Sequence, residues 1–263
     1  MRVAILSDIH GNSVALDAVL ADMAAAGSVD EHWVLGDLVA LGPDPVGVMQ
    51  RLRSLPNAHF IRGNTDRWLV DVHAGLPLPA PAELPQQTGA LANLIGVRYG
   101  MVWAQGAITA TGDLAWFAAL SLDYTTRLPD GTRVLCVHAA PGNDDGPGIR
   151  PVMSDDEIAA ALQGAEAELI FVGHTHWALD RTVISNGQPV RVVNLGSVSL
   201  QVAPDLRASY VLLEADASGH HLQMRKVEYD HPRVIEQANT VNHPARAIIA
   251  AYMNGQRQPV WEG

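Results

Sequence analysis

Seven side chains able to hold a divalent cation fall in five short motifs: Asp8 with His10, then Asp37, Asn64, His138, and finally His174 with His176. Four imidazoles, two carboxylates and one amide make a mixed nitrogen and oxygen donor set, which suits Mn2+, Fe, Zn2+, Ni2+ or Co2+. With one aspartate as a bridge, the set is large enough for two neighbouring cations. Four of the motifs directly follow apolar, strand-like runs: Val3–Leu6 before Asp8, Trp33–Leu35 before Asp37, Val134–Val137 before His138, and Leu169–Val172 before His174. Ligands of an open α/β sheet gather beyond the carboxyl ends of its strands, so residues remote in sequence can converge there.

Asp8 and His10 stand two apart, as do His174 and His176. In extended backbone such pairs point to one side, and the β-branched Ile9 favours that backbone. Gly36 is expected to let the chain approach the metals beside Asp37. Asn12, after Gly11, reads first as a helix N-cap and second as a substrate contact. His32, His59, His220, His221, His231 and His243 stand singly or outside any such motif and read as structural histidines.

The elements that must position these motifs follow from periodicity. Residues 2–7, 32–35 and 59–61 read as strands, with helices over 13–26 and 46–52 between them. This βαβαβ rhythm predicts a parallel sheet with helices on its faces. The rhythm breaks at residues 75–85, whose four prolines forbid regular helix or central strand. Helices are expected over 88–105 and 112–120, so residues 67–120 read as an inserted helical segment, either a cap or a structural extension packed away from the site. From residue 122 the chain turns β-rich, over 122–127, 133–138, 168–172, 178–184, 190–194, 208–214 and 221–227. Asp130-Gly131 and Asn186-Gly187 mark hairpins. Ser154 with Glu157 forms a capping box for a helix over 154–162. Residues 231–253 read as one or two amphipathic helices, a surface cover or an oligomer contact.

Composition narrows the partners. The 263 residues carry a formal charge of −11 and a single lysine, Lys226, which argues against duplex nucleic acid and anionic membrane surfaces. Two bound dications would still reverse the local field and admit an anionic substrate. The one cysteine, Cys136, lies in an apolar run and reads as a small buried hydrophobe. With no apolar run of membrane-spanning length and no signal-like start, a cytoplasmic location is the expectation.

In order, Asp8-x-His10, Gly36-Asp37, Gly63-Asn64, His138 and Gly173-His-x-His176 resemble the motif series of the calcineurin-like metallophosphoesterases. The resemblance covers residues 1–227, with 228–263 a C-terminal helical extension. It is similar to the small bacterial and archaeal phosphodiesterase branch in two features. Asn194-Leu-Gly-Ser197 resembles that branch's Asn-Pro-Gly-Ser turn, and Gly63-Asn-Thr-Asp66 lacks the histidine that many relatives carry after the asparagine. The resemblance implies an α/β, four-layer αββα sandwich of two mixed sheets, with the helical insertion. It implies two divalent ions, Mn2+ being the first candidate, one held by Asp8, His10, Asp37 and His176. Asp37, Asn64, His138 and His174 would hold the other, with Asp37, Asn64 and His138 as the catalytic set.

The implied reaction is in-line attack of a metal-bridging hydroxide on a phosphate ester, most simply a diester. Thr65, in place of the missing histidine, is a poor general acid, so better leaving groups, diesters or an acid from the cap such as His73 are expected. Arg62 and Arg67 are candidates for phosphate binding or for surface ion pairs. Asp66 is expected to orient Asn64 or a metal-bound histidine. The substrate would be a phosphorylated small molecule or a nucleotide. A dinucleoside polyphosphate or cyclic nucleotide hydrolase is the alternative enzyme. A metal-binding scaffold without turnover is the alternative of another class.

Overall fold

The computed structural model describes residues 1–77 and 88–256. Most of the proline run, residues 78–85, lies outside them. The chain orders as β1 (Arg2–Leu6), α1 (Ser13–Ala26), β2 (Glu31–Val34), α2 (Pro45–Arg53), β3 (Ala58–Phe60), α3 (Asn64–Val70), α4 (Val72–Gly75), α5 (Thr88–Ala110) and α6 (Leu114–Ala118). Then come β4 (Asp123–Arg127), β5 (Arg133–Val137), α7 (Asp155–Ala161), β6 (Leu169–Val172), β7 (Leu179–Ser185), β8 (Gln188–Asn194), β9 (Ala208–Asp216), β10 (Gly219–Val227), α8 (His231–Thr240) and α9 (Arg246–Met253).

The strands form two mixed five-stranded sheets, ordered β10-β9-β1-β2-β3 and β4-β5-β6-β8-β7. In the first, β1, β2 and β3 are parallel, and β9 and β10 close one side antiparallel. In the second, β5, β6 and β8 are parallel between antiparallel β4 and β7. Alternation along each strand builds the layers. Val3 and Ile5 face the other sheet with Cys136, Phe171 and Val193. Ala4 and Leu6 face outward onto Leu16, Val48 and Met101 of the helices α1, α2 and α5. On the second sheet Leu135, Ile170 and Val192 turn outward onto Ile158 of α7. Because both faces are covered, the parallel strands read as unbroken apolar runs. This is the four-layer αββα sandwich expected.

Local signals agree with it. Asn12 caps α1, its side-chain oxygen accepting from the Ala15 amide at 3.0 Å, and Ser154 with Glu157 forms the capping box of α7. The hairpins at Asp130-Gly131 and Asn186-Gly187 join β4 to β5 and β7 to β8. Cys136 is buried, and burial pushes its thiol well above the usual range.

Two details differ from the sequence expectation. Helix α3 starts at Asn64 itself and is followed by α4, elements too short for their periodicity to stand out. Helix α5 continues to Ala110 rather than ending near 105, because Met101, Ala104 and Ile108 are buried against the first sheet's helical layer. Packing there outweighs the weak helix preference of Gly106 and Thr109. Among the described residues no helix is long and apolar enough to cross a membrane.

Candidate metal centre

All seven donor side chains meet where the chain leaves the carboxyl ends of β1, β2, β3, β5 and β6. Each imidazole is oriented by a backbone carbonyl. His10 Nδ1 donates to Ala40 O at 3.2 Å, His138 Nδ1 to Leu35 O at 2.7 Å, and His176 Nδ1 to Leu200 O at 2.8 Å. A carbonyl only accepts, so these rings carry the Nδ1 proton and turn a bare Nε2 inward in their neutral form. His174 is reversed: Nε2 donates to Gly146 O at 2.8 Å, leaving Nδ1 for the centre.

The inward atoms form two groups. His10 Nε2 and His176 Nε2 stand 3.0 Å apart, with Asp8 Oδ1 3.3 Å from His176. His138 Nε2 and His174 Nδ1 each lie 3.1 Å from Asn64 Oδ1. Asp37 Oδ2 stands between the groups, 3.5 Å from both His10 Nε2 and His138 Nε2. The opposite oxygens of the aspartates are engaged by the backbone. Asp37 Oδ1 accepts from Thr65 N at 2.9 Å, and Asp8 Oδ2 from His174 N at 3.0 Å. Asp8 Oδ1 is buried and has no hydrogen-bond partner. A buried orphan carboxylate oxygen and bare nitrogens facing each other at 3.0 Å are unfavourable unless a cation or a proton lies among them. The donor set therefore fits divalent metal ions, with Asp8, His10 and His176 able to converge on one point and Asp8, Asp37 and His138 on another.

Electrostatics point the same way. Burial opposes charge on Asp8 and Asp37, yet the histidines around them hold both carboxyls below the usual range. Burial lowers His10 to about 4, whereas the aspartates overcome it at His138, raised to about 10. Burial and then the charge of Asp37 push Asp66 up to about 7.

The backbone corrects one sequence argument. Asp8 and His10 converge, but not through extended chain: their φ angles are 58° and 47°. Asp37, His174 and His176 are also left-handed, at 54°, 67° and 59°. Such conformations cost about 1–2 kcal/mol per residue and concentrate at functional sites that the surroundings over-determine. Here the surroundings are two loops zipped together, with Asp8 N, His10 N and Gly11 N donating to Gly36 O, Asp37 O and Leu38 O at 3.1, 2.9 and 3.0 Å. Gly36 serves the close approach of a third loop rather than an approach to metal, since a Cβ there would strike the Arg62–Gly63 backbone.

Other candidates fall into place around this floor. Asp66 orients neither Asn64 nor a histidine directly; it accepts from the amides of Asp37, Leu38 and Gly63 at 2.7, 2.9 and 2.9 Å, holding the loop of the central aspartate. Arg62 and Arg67 both pair with Asp144, Nε to carboxylate at 2.7 and 3.0 Å, and Arg67 also reaches Asp145. Asn12 is fully buried as a cap, its amide donating to Ser199 Oγ. His73 contacts Arg98, 3.2 Å away.

A cavity of about 340 Å3 opens over the centre. Its floor carries His10, Asp37, Asn64, Thr65, His174 and His176; Trp68, Val97, Ile248 and Tyr252 contribute walls. Thr65 Oγ1 is buried with no partner, and His73 lies outside the lining. Three larger surface depressions, of about 430, 580 and 640 Å3, contain none of the seven donors. Two contributors stand outside the candidate site residues, although Asn194 opens the Asn194–Ser197 turn noted in the sequence. Asn194 anchors the His174 loop, donating to Ile149 O, Gly173 O and Thr175 Oγ1, and its place at the end of a buried strand was the available signal. The part of α9 in the wall had no local signal.

Residues 1–218 match the family model of the calcineurin-like phosphoesterase superfamily domain. A metallophosphoesterase from Sphaerobacter thermophilus superposes with a TM-score of 0.75 at 26% identity, over 98% of this chain and 99% of that one. A hypothetical protein from Pyrococcus horikoshii shares the fold, with a TM-score of 0.77 at 21% identity over 96% and 97% of the two chains. The symmetrical bis(5'-nucleosyl)-tetraphosphatase of Pectobacterium carotovorum is 38% identical over 84 residues, 32% of this chain. That match spans only 30% of the relative's length. The family match over most of the chain, on a sandwich whose strand ends assemble a metal-binding donor set, places this protein in the calcineurin-like phosphoesterase superfamily.

Proposed function

We propose that this protein is a metal-dependent phosphoesterase acting on phosphodiesters with two divalent cations, Mn2+ being the first candidate. Asp8, His10, Asp37 and His176 would hold one ion, and Asp37, Asn64, His138 and His174 the other. The observation that carries this reading is Asp37 Oδ2, equidistant at 3.5 Å from an imidazole of each group. When bound, such a pair of ions generates a nucleophile from water at neutral pH and stabilises charge on the phosphoryl oxygens.

The chain's own residues do the rest. Backbone carbonyls keep the four imidazoles aimed inward, so little reorganisation is needed on binding. Asp37 and Asn64 line the floor where the reacting phosphate would rest, and His138 is buried beside them, its Nε2 3.1 Å from Asn64 Oδ1. Thr65 lines the cavity with its hydroxyl buried and unpartnered, and that hydroxyl is too weak an acid to protonate a poor leaving group. This favours diesters with good leaving groups over monoesters. Arg62 and Arg67 act here by bracing the Asp144 loop, with phosphate contact a second role open to them only if those pairs break. The name of the Pectobacterium relative supports a nucleotide-type substrate as a second reading. A cytoplasmic location belongs to the same proposal.

The test is hydrolysis of a nitrophenyl diester and its monoester by metal-stripped protein refilled with Mn2+, beside Asp37→Ala. Diester turnover that needs both the metal and Asp37 is the expected result. Two ions bound with neither ester cleaved would overturn the phosphodiesterase reading in favour of a specialised nucleotide hydrolase or a scaffold.

A further inference from the structure

The cavity over the metal centre is chemically two-ended. The donors His10, Asp37, Asn64, His174 and His176 line its floor, while Leu41, Trp68, Val97, Ile248 and Tyr252 form a mainly apolar slot above, which Asn93 also lines. No Lys or Arg is among its described lining residues. A second phosphate or carboxylate would find no cation there, and burying one unpaired is unfavourable. The complementary ligand has an anionic phosphoryl end and an apolar, flat end that can pack against Trp68 and Tyr252. The volume, about 340 Å3, falls within the range of small-molecule sites.

Two elements remote in sequence build this slot. Val97 comes from α5 of the insertion, and Ile248 and Tyr252 from α9 of the C-terminal extension. The helices approach closely because α5 carries Gly96 and Gly100 on the contact face. A Cβ at Gly96 would lie 2.9 Å from Ile248 Cδ1, and one at Gly100 would lie 3.2 Å from Ala245 Cβ. On its other side α9 is seated by buried Ile249 and Met253, which pack with Leu200, Val234 and Ala238. Helix α9 is thus wedged in place and not a loose tail over the site.

We infer that α9, with α5 and Trp68, forms a specificity slot that takes the aromatic ring of a group esterified to the substrate phosphate. The inference deepens the phosphoesterase reading and rests on it for the substrate's phosphate end. Ile248 and Val97 then set substrate preference without touching the reacting atoms, and the ring is a simple aryl group or a nucleobase.

Phosphonates, which are not hydrolysed, separate recognition from turnover. Titration calorimetry on Mn2+-loaded protein would compare phenylphosphonate with methylphosphonate, and adenosine 5'-phosphonate with ribose 5-phosphonate. The wild type is expected to bind the phenyl compound about tenfold or more tightly than the methyl one. Val97→Thr, nearly isosteric, and Ile248→Thr, which also removes the Cδ1 methyl, should each cut that ratio about threefold or more. Ala247→Asp, on the exposed face of α9, should leave the ratio as it is. A matching gain for the adenosine compound, lost in the same variants, identifies a nucleobase; a phenyl gain alone identifies an aryl group. A wild-type ratio near one, or a ratio unmoved in the folded double variant, overturns the slot. Hydrolysis of diesters without any ring preference sinks the slot alone, and ring preference without hydrolysis sinks the phosphoesterase reading alone.

Discussion

The floor and the walls of the cavity are built on opposite principles. The floor is polar and buried, and the backbone of five of its seven donor residues sits in the left-handed region. Its parts sit in short loops at the ends of central strands, each loop braced by amides, carbonyls and the Asp66 carboxylate. The walls are largely apolar and use ordinary helices held by side-chain packing. The difference teaches where each region tolerates change. A strained floor depends on every bracing contact, whereas packed helices tolerate conservative change if volume is kept.

The sharpest way to break the contrast is to add one methyl group to each region. Gly63→Ala would drive a Cβ into the Asp37 side chain and amide. Stability should fall by about 2–3 kcal/mol and activity on the order of a hundredfold or more, read by denaturant melts, metal content and diester turnover. Bracing without bulk comes next. Asp66→Asn would turn an amide N–H toward backbone donors now satisfied by a carboxylate, and metal affinity should weaken about 10–100-fold, measured by competition with a chelator. Unchanged affinity would mean that the loop of Asp37 holds itself.

Thr65→His asks whether the junction of floor and wall lacks only an acid. The monoester-to-diester ratio of kcat/KM is expected to rise about tenfold, and a constant ratio would count against the vacant-acid argument. Smallest is the methyl added to the outer helix. At Gly106 in α5 a Cβ would meet nothing within 4 Å, so Gly106→Ala should stabilise by about 0.5–1 kcal/mol. That corresponds to a rise in Tm of roughly 1–4 °C, with metal binding unaltered. A loss of stability there would show that α5 is not the ordinary helix described.

How much was legible in advance follows the same division. Asp8, His10, Asp37, His138, His174 and His176 were visible because each sits in a short motif at the end of an apolar run, and Asn64 because Gly63-Asn64 continues the same motif series. Strands with both faces buried cannot hide that run. The reason given for the pairing of Asp8 with His10 failed, since left-handed φ is set by inter-loop hydrogen bonds that local spacing does not encode. Arg62 and Arg67 were left with two readings, and the Asp144 carboxylate that engages them lies about 80 residues away in sequence. Helices α3 and α4 escaped notice because seven and four residues are too few for a period to emerge.

By itself, then, the sequence determined the candidate donors and the strand runs before them and, through the resemblance those motifs carry, the two-sheet architecture and the superfamily, because ligand chemistry and strand burial are written in runs of a few residues. Only the tertiary structure decided which nitrogen each histidine turns inward, where Asp66 acts, and that α9 closes over the centre against α5. Those outcomes depend on carbonyls, amides and glycine gaps supplied by segments distant in the chain, and such partners exist only once the layers have packed.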